Sequence, residues 1–185
     1  MSPDGERGRS EVVRQMMNYD PTSPRPPRPF NTPLECGLRT LFVLNATNGA
    51  PSDLQRLVSY DYLLVHSGDM PDGPPSLHPA VPLRGTELLV KRDLVRAGLN
   101  QMFSRELLMK SFDRTGIMYR ATALTTSFVG LLKSDYATAL RYRAEWIVSN
   151  FGSDSDEELN AFMSANVGKW GAEFERLTAL RDLEL

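Results

Sequence analysis

The residues able to do chemistry are few. The single cysteine, Cys36, lies in the apolar run PLECGLRTLFVL. There a thiol is a small core side chain rather than an activated nucleophile. The two histidines, His66 and His78, stand in VHSGD and SLHP. Taken with Asp61 or Asp69 they make two imidazoles and a carboxylate, short of the spaced ligand set of a zinc site. The plainer expectation puts His66 at a helix end, where its ring can bond the last carbonyls. His78 is then expected to fix a Pro-rich loop, and Asp61 to pair with Arg84 or Arg92. The chain has no Gly-rich phosphate loop, no paired cysteines and no His-Glu-x-x-His run. The expectation is therefore a protein without catalytic residues, metal or cofactor.

Composition narrows the class. The chain has 185 residues, 41% hydrophobic and 24% charged, ordinary for a globular protein with one sizeable core. No window approaches the roughly 18 uninterrupted apolar residues of a membrane span, so no membrane partner is expected. The N-terminal MSPDGERGRSEVVRQ lacks the apolar stretch of a signal peptide. A lone cysteine forms no internal disulfide, which points to the cytoplasm. Net charge is −2, too balanced for a protein that lives on bulk phosphate attraction. The charge is uneven, however. Residues 31–151 carry thirteen basic and eleven acidic residues, and residues 152–185 carry three basic and eight acidic. Arginines outnumber lysines 17 to 4, a bias that suits bidentate pairing but that a GC-rich genome also produces.

The elements that must position these side chains read as follows. Residues 1–29 form a Pro-rich extension, with PTSPRPPRP favouring a stiff polyproline II segment. Upstream, Val12, Val13, Met16 and Met17 make a helical stripe too short to hold a helix alone. The body starts at Phe30. Thr32-Pro33-Leu34-Glu35 is a capping box opening a first helix, which ends at Asn48-Gly49. Ser52-Asp53-Leu54-Gln55 reads as a second capping box for a helix that Gly68 stops. Prolines hold 69–85 as a loop. Thr86 is expected to cap a third helix through Phe103, and residues 107–112 and 117–121 read as a hairpin around Asp113-Arg114-Thr115-Gly116. Two more helices follow, the longer beginning near Ser134. Ser155-Asp156-Glu157-Glu158 opens a last helix. The expected fold is mainly α with a β-hairpin: a winged-helix body over 30–151, three helices plus a wing, followed by C-terminal helices. Residues 152–185 are expected to form an acidic linker and C-terminal helix.

Three stretches carry a family likeness: RPFNTPLECGLRTLFVLNA, then DLQRLVSYDYLLVHSGDMPDGPPSLHPAVPLRGTELLVKRDLVRAGL, then IMYRATALTTSFVGLLKSDYATALRYRAEWIVSNF. Over residues 28–151 they resemble the middle component of ABC-ATPase three-component conflict systems. The spacing of FNTPLE, DYLLVHSGD, SLHP and ELLVKR is the specific part. The resemblance implies a prokaryotic complex in which an SMC-like ABC ATPase and an effector, often a nuclease, are bridged by a small non-enzymatic subunit. Lamassu anti-phage systems are similar in organisation. No catalytic residue carries over.

Two functions follow. In the first, the protein is a docking platform between an SMC-like ATPase and a nuclease-like effector. Val12, Val13, Met16, Met17, Phe162 and Trp170 are then the expected apolar anchors, with DNA contact inside the complex left open. In the second, it is a winged-helix transcriptional regulator. Arg84, Lys91, Arg92 and Arg96 on the third helix would then meet DNA with Lys110 and Arg114 on the wing. Interspersed acids count against the second, since intrahelical pairs such as Glu87–Lys91 also account for these charges.

Overall fold

Thr32 and Glu35 cap each other's backbone, and this sets where the first helix begins. The Thr32 hydroxyl accepts from the Glu35 amide at 3.3 Å, and the Glu35 carboxylate accepts from the Thr32 amide at 2.7 Å. Pro33 occupies the first turn, where its missing N–H costs nothing. The computed structural model describes residues 31–79, 84–114 and 116–166, with the backbone alone over 84–90. The leader with its Val12, Val13, Met16 and Met17 stripe lies outside the described residues. So do Trp170, everything from 167 to 185, and the side chains of Arg84 and Glu87.

The chain is mainly helical with one small sheet. Helix α1 spans Pro33–Ala46, strand β1 Ser52–Asp53, helix α2 Leu54–Val65 and a 3-10 turn Ser67–Asp69. Helix α3 spans Arg84–Phe103, strands β2 and β3 Leu108–Phe112 and Ile117–Ala121, and helices α4 and α5 Ala123–Leu131 and Asp135–Phe151. Residues 156–166 are helical and are termed α6. The antiparallel sheet has the order β1-β3-β2, with Ser52 opposite Tyr119 and Lys110 also opposite Tyr119 on the other side.

Several boundaries differ from expectation for local reasons. The cap of α2 is Asp53, whose carboxylate accepts from the Arg56 amide at 2.7 Å. Ser52 instead pairs with Tyr119 as β1. The helix stops at Val65 with His66 as its C-cap, two residues before Gly68. Helix α3 begins at Arg84 rather than after Thr86. Asn48 and Gly49 take the left-handed conformation expected of them, at φ 52° and 88°.

The core is one cluster drawn from every helix. Leu41, Leu44, Leu57, Leu63, Val95, Leu99, Leu108, Ile147 and Leu159 are among its buried members. Leu159 and Met163 put α6 into that cluster, and the Phe162 ring lies 5.2 Å from that of Phe151, tilted by 51°. Arg56 pins the turn that leads there. It donates to the Asp156 carboxylate at 2.7 Å, the Asp154 carbonyl at 2.6 Å and the Tyr60 hydroxyl at 2.8 Å.

Candidate interaction site

Three helices meet around a buried charge. Asp61 on α2 has no exposed surface. Its carboxylate accepts a bidentate pair from Arg39 on α1, at 2.6 Å from Nε and 3.0 Å from Nη2. Lys91 on α3, 1% exposed, brings its ammonium to 3.4 Å of the same carboxylate. Arg39 Nη2 also donates to the Asn31 side-chain oxygen at 3.1 Å and lies 3.2 Å from Cys36 Sγ. Burial alone would raise the Asp61 pKa; the Arg39 and Lys91 cations outweigh it and hold the carboxyl below its ordinary value. Burial pushes the Cys36 thiol up to about 11, so it is a poor nucleophile.

This triad corrects two expectations. Asp61 pairs with Arg39 and Lys91 rather than with Arg92, which donates to Gln55 instead; the Arg84 side chain lies outside the described residues. Lys91 is a core cation rather than a surface residue placed to meet DNA, and its expected pairing with Glu87 falls on a side chain outside the described residues. A signal for this exists in the sequence: Lys91 lies on the stripe Val95, Leu99 and Met102, at helical spacing, and all of these are buried.

His78 ties the Pro-rich loop to α5, as expected. Its Nε2 lies 3.0 Å from the Tyr136 hydroxyl, and the two rings are nearly parallel. Arg143 holds the same loop, donating Nε to the Pro75 carbonyl at 3.1 Å and to Ser67 Oγ at 3.3 Å. His66 is buried at the end of α2, its ring 5.0 Å from Tyr62 and 6.3 Å from His78. Among the described residues, no group of three or more His, Cys, Asp or Glu is placed to hold a metal ion.

Burial, with the nearby Arg39 and Lys91 cations, pushes the His78 imidazole down to about 4. A base whose folded pKa lies below its unfolded value of roughly 6.5 favours the neutral, folded form. Its stability contribution is complete above roughly pH 6.5 and drains away as pH falls toward about 4. The non-titrating His78→Phe variant, which keeps a ring against Tyr136, is expected to lose less stability across that window. Denaturation midpoints at a series of pH values check this. Parallel losses in both proteins would show that His78 does not set the slope.

Among the described residues, a groove and the hairpin expose apolar surface. The first is a groove of about 490 Å³ between α1, α4 and α5, walled by Leu38, Phe42, Leu132 and Leu140, with Arg39, His78 and Tyr136 at its polar side. Leu131 stands on its rim, 77% exposed. The second is the hairpin. Phe112 and Ile117 face each other across it on the side that carries Lys110 and Tyr119. Phe112 is 78% exposed, and Ile117, Met109 and Phe103 are also exposed. The Lys110 ammonium sits 4.6 Å from the Phe103 ring centroid, joining the end of α3 to the hairpin.

The cations expected to meet DNA are mostly engaged. Arg92 donates to Gln55 at 2.6 Å, Arg96 pairs with Asp93 at 2.8 Å and Lys110 donates to Asn100 at 2.7 Å. Arg114 is exposed at the hairpin turn. Phe162, expected as a partner anchor, is half-buried against Phe151, which reduces the surface it can offer. The exposed apolar hairpin was not among the expected anchors. Its signal was Phe112 and Ile117 flanking a polar turn, where strand alternation alone does not say which face stays uncovered.

A family model described as ABC-three component (ABC-3C) system Middle Component 2 matches residues 29–173. The matched span begins four residues before α1 and runs past the described part of α6. No curated protein and no solved structure matches the chain. No helix among the described residues is long and apolar enough to cross a membrane.

Proposed function

Because the chain belongs to the Middle Component 2 family of ABC-three component systems, we propose that it is a non-enzymatic, cytoplasmic subunit bridging an SMC-like ABC ATPase to a nuclease-like effector. The complex is a prokaryotic anti-phage or anti-plasmid system organised like the Lamassu systems. The observation that carries this reading is the exposed apolar hairpin, Met109, Phe112 and Ile117 with Phe103 beside it, which gathers four of the nine exposed large hydrophobic side chains among the described residues. Apolar and aromatic side chains concentrated at one projecting element are what interface hot spots are made of. The body is a winged helix in this reading. The element order α1-β1-α2-α3-β2-β3 and the strand order β1-β3-β2 support it, with β2 and β3 as the wing. The leader stripe of Val12, Val13, Met16 and Met17, and Trp170 beyond α6, serve as further anchors.

The test is co-purification with the ATPase and effector encoded beside it. Phe112→Asp, at a site too exposed to carry the fold, is expected to weaken retention of one partner by about 2 kcal/mol or more, roughly thirtyfold. An unchanged complex would remove the hairpin from the interface. A protein that holds neither neighbour would remove the bridging reading.

The second reading is a winged-helix DNA-binding regulator, favoured by the run of Arg92, Arg96, Lys110 and Arg114 along α3 and the hairpin. The intramolecular bonds of Arg92, Arg96 and Lys110 weigh against it. Tight, sequence-selective duplex binding that weakens steeply with salt would put this reading in place of the first.

A further inference from the structure

The apolar groove between α1, α4 and α5 has its own candidate occupant one residue away. Asn31 sits at its edge: its amide donates to Glu35 Oε2 at 3.0 Å, its side chain accepts from Arg39, and Glu35 and Arg39 both line the groove. Asn31 has a positive φ of 85°, so the chain turns sharply as it leaves α1 toward its N-terminus. What precedes it is Pro24-Arg25-Pro26-Pro27-Arg28-Pro29-Phe30. We infer that this Pro-rich segment of the same chain lies in the groove, with Phe30 against the apolar wall and the prolines along Tyr136.

Three observations support that occupant. The tether is almost nil, so the local concentration of the segment at the groove is far above that of any free partner. The groove's polar atoms are largely committed to one another. Arg39 is held by Asp61, His78 lies against the Tyr136 hydroxyl, and the carbonyl of Leu132 accepts from Arg141. An occupant must therefore bring apolar surface and few unmatched donors. Four of the seven residues are prolines, with no backbone N–H to leave unpaired. Finally, Tyr136, 44% exposed at the groove, gives an aromatic ring of the kind on which polyproline II segments dock, at low entropic cost because the segment is already extended. Seated there, the segment would fix where the Val12, Val13, Met16 and Met17 stripe emerges. The inference does not depend on the assembly reading, since it concerns the isolated chain.

Paramagnetic broadening in the full-length protein tests it. A nitroxide is placed on Arg25→Cys; the buried, weakly acidic Cys36 thiol stays unlabelled under mild conditions. The methyl signals of Leu131, Leu132 and Leu140 are expected to lose most of their intensity, unchanged on dilution, while those of Leu108 on β2 keep theirs. Leu131→Glu, on the exposed rim, is expected to lessen the broadening of Leu132 and Leu140 clearly without unfolding the protein, the short tether keeping some of it. Groove methyls left at full intensity would overturn the proposal. So would broadening seen only when spin-labelled and isotope-labelled copies are mixed, because a second copy would then be the occupant. Broadening that survives Leu131→Glu in full would place the segment elsewhere on the body and overturn it too.

Discussion

Asp61→Asn is expected to destabilise the protein by about 3–5 kcal/mol, the cost of leaving buried cations without their counter-charge. The substitution keeps the shape of the side chain and removes only its charge. Arg39 and Lys91, both almost fully buried, then face each other across a neutral amide. Against a total stability of roughly 5–15 kcal/mol, a loss of that size moves the denaturation midpoint far while leaving the slope unchanged. Lys91→Met is expected to be much milder, because Asp61 keeps both bonds from Arg39 and an unbranched apolar chain fills the space. The double variant should recover part of the Asp61→Asn loss. Acid gives an independent reading. A carboxyl whose folded pKa lies below its unfolded value contributes stability above roughly pH 4 and loses it as pH falls through the folded value. That part of the acid slope should vanish in Asp61→Asn. A variant within about 1 kcal/mol of the parent would show that the triad does not hold the three helices together.

The local parts of this architecture are legible in the sequence. Thr32 with Glu35, and Ser155 with Glu158, cap as their spacing implies, because the whole interaction lies within four residues. The hairpin was legible for the same reason: its turn and both strands fit within 107–121. Strand β1 was not. Two residues have no alternation to read, and Ser52 and Asp53 look like helix caps. One of them is a cap, and the other pairs with Tyr119 far along the chain.

The site was legible only in part, because charge was read along the chain and not across it. Lys91-Arg92 looks like a solvated pair on an exposed helix. In the fold the two side chains point opposite ways, Lys91 inward to Asp61 and Arg92 outward to Gln55. The partner that fixes Asp61, Arg39, lies 22 residues upstream on another helix, so no short-range rule finds it. Composition changes at the termini, and that change points to apolar anchors there. The hairpin exposes apolar surface instead, with Phe112 78% exposed beside the turn.

Gly98→Ala is expected to cost about 3 kcal/mol, at the upper end of what overpacking usually does, although helix propensity alone predicts a gain of roughly 1 kcal/mol for the same change. The reason is the crossing of α1 and α3. A Cβ at Gly98 would run into the Pro33 carbonyl oxygen and come within 2.5 Å of the Gly37 nitrogen. On the other side, a Cβ at Gly37 would come within 2.8 Å of the Gly98 carbonyl oxygen. These are backbone atoms, with no rotamer to change, so the two helices must separate. Gly130 on α4 is the control: a Cβ there meets nothing within 4 Å, and Gly130→Ala should gain roughly 0.5–1 kcal/mol. The effect reaches the function as well. The α1–α3 crossing sets how Arg39 and Lys91 converge on Asp61, and the far end of α3 carries Phe103 beside the hairpin. Gly98→Ala should therefore weaken partner retention through Phe112 even at temperatures where it stays folded, and Gly130→Ala should not. If the two variants gain stability alike in chemical denaturation, the helices are not in backbone contact at Gly98. The hairpin would then have to be positioned by the sheet alone.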